Sequence, residues 1–137
     1  MSLESKFKAT LCKQLQDLGA MIHVISATAD SSGWPDRYIV HPGWSGYIEF
    51  KAIRGRLREN QRLTLKGITK RKQNALILWE RGADNYELLY VGGTSGDIKS
   101  IAIAGATDAL YCYDGKSLLE QLRYLNHPMF KNIFAEA

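Results

Sequence analysis

The strand pattern of this 137-residue chain is clearest in Tyr47-Ile48-Glu49-Phe50-Lys51, which is preceded by Gly33-Trp34-Pro35-Asp36. Side chains two residues apart in a β-strand share a face. Glu49 and Lys51 therefore point the same way, while the apolar residues between them point to the other face, into a core. Asp36 opens the preceding short apolar run. If the two runs pair as strands, Asp36 approaches Glu49.

Two nearby carboxylates and a lysine have a specific chemical use. Carboxylates repel each other, and a hard divalent cation relieves that repulsion. A neighbouring lysine can orient a water molecule or stabilise developing negative charge. This is the minimal equipment for metal-assisted phosphodiester hydrolysis. The alternative is that Glu49 and Lys51 form a minor ion pair on a solvent-exposed strand face.

Length and composition indicate one globular domain with its own core, covering residues 1–137. No apolar run approaches the roughly 18 residues that span a bilayer. The amino terminus lacks the basic-then-apolar order of a signal peptide. Cys12 and Cys112 are too few and too distant to indicate a disulfide framework or a zinc site. We therefore expect a cytoplasmic protein without membrane contact.

The positive charge is concentrated in one segment. Residues 51–72 carry nine basic side chains and one acid, a net charge of +8, whereas the other residues carry nine basic and thirteen acidic groups, a net charge of −4. This polarity indicates that a polyanion binds at one place. A solvated basic helix is the alternative interpretation. The segment begins at Lys51 of the candidate site, and this position favours binding of a polyanion.

The apolar pattern predicts alternating helices and strands. We expect helices over 3–18, 58–72 and 116–125, the last ended by Asn126-His127-Pro128. We expect strands over 22–26, 37–40, 47–51, 75–79 and 86–91, and two short strands within 97–113. The almost wholly apolar 75–79 reads as a central strand buried on both faces. A helix between the third strand and this one fits a crossover connection. The fold class is thus α/β, with a mixed central sheet flanked by helices.

The second helix has two different faces. One broad stripe is basic, and the adjacent stripe, with Gln61 in it, is expected to face the sheet. Gln61 either hydrogen-bonds a strand end or supports the candidate site. The basic stripe consists of Arg58, Arg62, Lys66 and Lys70.

Three other residues each have two interpretations. Glu4 in the first helical turn either complements the helix dipole or supplies a third acid to a metal. Trp34 and Trp44 flank the strand that follows Asp36. They either stack on unpaired bases or pack in the core and loops.

These motifs resemble a known group, the PD-(D/E)XK nuclease superfamily. Pro35-Asp36 followed by Glu49-Phe50-Lys51 is its signature, and Glu4 and Gln61 narrow the resemblance. The chain is most similar to stand-alone VRR-NUC nucleases, often encoded by phages, and to Holliday junction resolvase-like nucleases. The resemblance covers about residues 3–80. Residues 81–137 would add strands and a carboxy-terminal helix, where we expect an oligomer interface.

The resemblance implies a restriction-endonuclease-like fold and a role for each matching residue. Asp36 and Glu49 would bind Mg²⁺ or Mn²⁺, with the Phe50 carbonyl as a further ligand and Glu4 as an auxiliary acid. Lys51 would position the attacking water, and Gln61 would contact phosphate or support the other groups. An oxygen-rich site suits these cations better than zinc.

The leading hypothesis is therefore a Mg²⁺- or Mn²⁺-dependent DNA endonuclease in a bacterial or phage-infected cell. A small domain without a separate sequence-reading module is expected to read DNA shape and phosphates, so branched DNA such as a four-way junction is the expected substrate. Symmetric cutting of a junction needs two active sites, which predicts a homodimer. The competing hypothesis is a non-catalytic nucleic-acid-binding protein that uses the basic segment 51–72. The expected DNA-contacting residues are Arg54, Arg56, Arg58, Arg62, Lys66 and Lys70.

Overall fold

The computed structural model describes residues 3–26, 33–101 and 110–137, without the side chains of residues 3–5, 129 and 131. Within these ranges the chain is an α/β protein with a seven-stranded mixed sheet and four helices. The elements are α1 (Leu3–Asp17), β1 (Met21–Val24), β2 (Arg37–Val40), β3 (Gly46–Lys51), α2 (Glu59–Lys70), β4 (Ala75–Gly82), β5 (Asn85–Val91), β6 (Ile98–Ser100), β7 (Tyr111–Cys112), α3 (Gly115–Leu125) and α4 (Pro128–Glu136).

The sheet contains one parallel strand pair among antiparallel ones. The strands lie in the order β1-β2-β3-β4-β5-β6. β7 also pairs with β5, at Tyr86 and Glu87, whereas β6 pairs with residues 89–91 of the same strand. β3 and β4 are parallel, with Glu49 opposite Ile77, and α2 connects them. The other pairs are antiparallel. The predicted mixed sheet with a helical crossover is confirmed.

Two hydrophobic clusters lie on opposite faces of the sheet. The larger joins α1 and α3 to one face, where Phe50 is fully buried and its ring lies 6.0 Å from that of Phe7. The smaller joins Leu65 and Ile68 of α2 to the other face. β4 contributes alternate residues to both, as predicted for a central strand. Glu49 and Lys51 alternate with Phe50 along β3, so they lie on the α2 face.

The carboxy-terminal region differs from the prediction in one respect. α3 ends at Leu125, as expected, but a further helix, α4, begins at Pro128. This proline was expected only to end α3. Proline also suits the first turn of a helix, because the backbone N–H groups there have no intrahelical acceptor. Phe134 of α4 packs against Tyr90 of β5, with ring centroids 4.3 Å apart, and this contact joins α4 to the sheet.

No helix among the described residues is long and apolar enough to cross a membrane. Both cysteines are free thiols, Cys112 buried and Cys12 half-buried.

Candidate active site

The pairing of β2 with β3 brings the two predicted acids together. Arg37 lies opposite Ile48 in an antiparallel register, so the preceding residue, Asp36, lies opposite Glu49. The Asp36 backbone N–H donates to Glu49 Oε2 at 3.1 Å, and the Phe50 backbone N–H donates to Asp36 Oδ2 at 3.1 Å. Each carboxylate is thus held by the backbone of the opposite segment. This reciprocal pair of hydrogen bonds fixes both acids side by side.

Lys51 and Gln61 complete a buried polar cluster with Glu49. The Lys51 ammonium lies 3.4 Å from Glu49 Oε1 and donates to Gln61 Oε1 at 3.0 Å. The Gln61 amide nitrogen donates to Glu49 Oε1 at 3.2 Å. The three residues expose only 2% (Glu49), 7% (Lys51) and 6% (Gln61) of their surface. Burial of an ion pair costs solvation free energy, so other interactions of the fold must offset the cost of burying this cluster.

The first turn of α2 sets the orientation of Gln61. Arg58 is the N-cap residue, and its backbone N–H donates to Gln61 Oε1 at 3.0 Å, the side-chain-to-backbone half of a capping box. The same oxygen accepts from Lys51, so the amide nitrogen faces Glu49. The prediction that Gln61 lies on the inward face of the helix is confirmed. Its interpretation as a supporting group gains a geometric basis.

The segment before β2 is fixed by its contact with α2. Gly33 has a φ of +91°, a region that favours glycine. A Cβ at this position would lie 2.8 Å from the Asn60 carbonyl oxygen, closer than van der Waals contact allows. Pro35, which is buried, then restricts the backbone just before Asp36. The Gly-Trp-Pro-Asp sequence therefore lets the chain pass tightly over α2 and deliver Asp36 to Glu49.

A lysine that was not predicted as a site residue also lies at the site. Lys8 of α1 places its ammonium 3.8 Å from Asp36 Oδ2. Lys8 lies one helical turn after Glu4, and residues four apart share a helix face. That spacing was the signal that could have indicated Lys8. The side chain of Glu4 lies outside the described part of the structure, so its assignment stays a prediction.

The metal donors available here are oxygen atoms. Asp36 is the more accessible acid, with 26% of its side chain exposed against 3% for Glu49. No residue in the described ranges donates to Asp36 Oδ1. The Phe50 N–H points towards Asp36, and the carbonyl of a strand residue points to the same side as its N–H. The described residues contain no group of three or more His, Cys, Asp or Glu side chains placed to hold a metal. Two carboxylates and this carbonyl therefore form the candidate donor set.

The predicted DNA-contacting residues fall into two groups. Arg54, Arg56 and Arg58 are exposed in the connection between Lys51 and α2. Arg62, in contrast, is half-buried, pairs with Glu59 and donates to the Gly96 carbonyl at 2.7 Å. Lys66 is half-buried and Lys70 is exposed. The exposed arginines that follow Lys51 in the chain are therefore more accessible to phosphate than Arg62.

The thiol near the site is unsuited to nucleophilic chemistry. Burial raises the pKa of Cys12, although the hydrogen-bonded Arg37 and the nearby Lys8 act in the opposite direction. Burial also raises the pKa of Cys112 to about 12. The thiolate is the reactive form of cysteine, so neither thiol supports cysteine-based catalysis at neutral pH.

No known protein-family model matches this sequence, and no curated protein sequence is significantly similar to it. The case for a function therefore depends on the geometry of the acids, the lysine and the glutamine.

Proposed function

We propose that the protein is a Mg²⁺- or Mn²⁺-dependent endonuclease that hydrolyses DNA phosphodiester bonds, with a PD-(D/E)XK site in a restriction-endonuclease-like fold. The observation that carries the proposal is the reciprocal bonding of Asp36 and Glu49 across two strands, with the Lys51 ammonium 3.4 Å from Glu49. A minor surface ion pair does not account for this arrangement, because Glu49 and Lys51 are both buried. The resemblance to VRR-NUC and Holliday junction resolvase-like nucleases points to the same chemistry.

The donor set fits a hard divalent cation. Asp36 and Glu49, the Phe50 carbonyl and Glu4 are the residues that would hold it. Oxygen donors of this kind suit Mg²⁺ and Mn²⁺. When bound, such a cation lowers the pKa of a coordinated water and offsets charge on the phosphate.

Lys51 and Gln61 have complementary roles in this proposal. The Lys51 ammonium is a fixed positive charge beside Glu49, suited to orienting the attacking water and stabilising developing negative charge. Gln61 is a positioning residue, because its oxygen holds the ammonium while its nitrogen holds Glu49. A fixed charge costs no reorganisation when the reaction occurs, which is the advantage of burying it.

Arg54, Arg56 and Arg58 are exposed in the connection that follows Lys51, and their charge suits backbone phosphates. Phosphate contacts carry no sequence information, which favours recognition of DNA shape. We propose branched DNA, including a four-way junction, as the substrate.

We also propose a homodimer formed through residues 81–137. This region exposes large apolar side chains, among them Tyr113 (64% exposed), Tyr124 (47%) and Ile133 (47%). Light scattering of the protein with junction DNA is expected to give the mass of two chains per junction. A single chain per junction would contradict this part of the proposal.

A cleavage assay with end-labelled substrates tests the activity. The assay compares a four-way junction, a flap, linear duplex and single-stranded DNA with Mg²⁺, with Mn²⁺ and with EDTA. We expect cleavage that EDTA abolishes and that Lys51→Ala lowers at least about 100-fold, the effect of removing one charge-stabilising donor. Equal cutting of all substrates would support nuclease activity but contradict the proposed preference for junctions.

The alternative is a non-catalytic nucleic-acid-binding protein. One observation favours it: Glu49 Oε1 already has two partners, Lys51 and Gln61, so the acid has a structural role without a cation. In that case the affinity for DNA falls steeply as the salt concentration rises. EDTA has no effect on that affinity, and none of the substrates is cut.

A further inference from the structure

A groove lies on the same face of the sheet as the candidate active site. Its volume is about 1010 Å³, at the upper limit for small-molecule pockets. α2 packs over β3, β4 and β5 but leaves this side of β1 and β2 uncovered by the described residues. Tyr47, in the groove, precedes Glu49 by two residues on β3 and shares its face. Two strand residues span about 7 Å, so the groove begins next to the acids.

A cross-strand row of rings forms the floor of the groove. His23 of β1 lies opposite Tyr38 of β2, which lies opposite Tyr47 of β3. The Tyr38 and Tyr47 ring centroids are 4.7 Å apart, and the Trp34 ring lies 5.6 Å from Tyr47. Three neighbouring strands span about 10 Å, so the row offers more than one ring face to a ligand.

The two tryptophans have different roles. Trp44 is 2% exposed and belongs to the core, in agreement with the packing interpretation. Trp34 is 41% exposed at the rim of the groove. A large ring kept partly in water at the edge of an aromatic floor costs burial free energy. This position suits a ring that stacks on a ligand.

The groove carries little charge of its own. Its lining, within the described residues, contains no Asp, Glu, Lys or Arg, so no acid in the lining repels a phosphate. Gln73 and Asn74 line one end, and the exposed Arg71 and Lys72 immediately precede them. Lys72 has a φ of +62° in the turn that ends α2. Arg71 lines a second pocket together with Trp34, so this cation lies near the aromatic row. Aromatic faces with nearby cations are the combination that binds single-stranded nucleic acid.

We propose that this groove binds unpaired DNA nucleotides next to the bond that is cut, by stacking bases on Trp34, Tyr38 and Tyr47. The inference rests on the proposed nuclease function and adds a subsite for single-stranded DNA. Such a subsite gives a physical reason for preferring branched DNA over duplex, since the bases of an intact duplex are already stacked and cannot enter.

Binding in EDTA separates this inference from catalysis. The probes are a labelled oligothymidylate and an abasic strand of equal length and charge. Trp34→Ala is expected to weaken binding of oligothymidylate roughly tenfold, the loss of one stacked base, and to leave the abasic strand unaffected. Trp34→Phe is expected to restore most of the affinity. Leu18→Ala, which removes an equally exposed apolar side chain (41%) outside the groove, is the control.

A second measurement on the wild-type chain does not depend on a folded variant. A strand carrying 5-iododeoxyuridine is photocrosslinked to the protein, and the modified residues are mapped by mass spectrometry. We expect crosslinks at Trp34, Tyr38 or Tyr47. Crosslinks confined to other residues, or equal affinity for thymidylate and abasic strands, would overturn the proposal. Tighter binding of the matching RNA would overturn the assignment to DNA. A groove that binds thymidylate in a protein that cuts nothing would refute the nuclease function alone.

Discussion

At the residue scale, the amide of Gln61 connects the lysine to the acid. Its oxygen accepts from Lys51 and from the Arg58 backbone, and its nitrogen donates to Glu49. Both polar atoms of this side chain make hydrogen bonds, so a substitution leaves buried groups without partners. Each such group costs about 1–3 kcal/mol of stability.

We therefore predict that Gln61→Leu lowers both stability and cleavage. The expected stability loss is about 1–3 kcal/mol, and cleavage is expected to fall because Lys51 and Glu49 lose their common partner. Chemical denaturation and single-turnover cleavage measure the two effects. Gln16→Leu, at an exposed glutamine of α1 outside the site and the groove, is the matched control. A stable Gln61→Leu protein with normal cleavage would show that the amide positions nothing.

Gly33 offers a second test at this scale. We predict that Gly33→Ala destabilises the protein by about 1–3 kcal/mol, because a Cβ there would lie 2.8 Å from the Asn60 carbonyl at a φ of +91°. Gly82→Ala is the control, since a Cβ at Gly82 meets no heavy atom within 4 Å. Thermal unfolding of both variants checks the prediction, and equal unfolding temperatures would contradict it.

At the element scale, the start of α3 depends on a charged cap. Asp114 Oδ1 accepts from the Ser117 backbone N–H at 2.7 Å. This hydrogen bond is the main cause of a lowered pKa for Asp114. Because the pKa is lower in the folded state, the stabilisation is present above the unfolded value of about 3.9 and disappears as the pH falls through the folded value.

We predict that Asp114→Ala costs about 1 kcal/mol of stability at neutral pH. The difference from wild type is expected to shrink as the pH falls below about 3.9. Asp114→Asn keeps a capping oxygen without the charge and is expected to retain most of the stability. Urea unfolding of each variant, from neutral pH to below about 3.9, measures the effect. A pH-independent difference between wild type and Asp114→Ala would contradict a role for the carboxylate charge.

The same scale shows which elements were predictable. The apolar run 75–79 and the spacing of Leu65 and Ile68 record burial directly, so β4 and α2 followed from sequence. α4 did not, because Pro128 suits both the end of one helix and the start of the next. β4 continues through Glu80 to Gly82 with an irregular register, and no local pattern indicates where such a strand stops.

At the scale of the whole molecule, the concentration of charge in residues 51–72 is the dominant property. If the exposed arginines contact phosphates, the affinity for DNA falls steeply with salt. We predict that Arg56→Ala weakens binding to all DNA substrates and reduces the log–log salt slope by roughly one. Lys116→Ala, an exposed cation at the start of α3, is expected to have no effect. Equal effects of the two variants would contradict a localised binding surface.

More of the candidate site than of the groove could be predicted from the sequence. Asp36, Glu49 and Lys51 were predictable, because strand pairing and alternation bring them together. Lys8 and the aromatic row were not, since they depend on where α1 lies and on which strands α2 leaves uncovered. Contacts between distant elements carry no local sequence pattern, so only the assembled fold reveals them.

The most direct test of the account compares DNA cleavage in Mg²⁺ by wild type and by Glu49→Gln. Glu120→Gln, at an exposed acid of α3 outside the basic segment, is the control. DNA affinity is measured on the same preparations in Ca²⁺. We predict that wild type and Glu120→Gln cut DNA, and that Glu49→Gln binds DNA but does not cut it. Normal cutting by Glu49→Gln, or DNA binding without cutting by the wild type, would contradict the assignment of Asp36, Glu49 and Lys51 as a nuclease site.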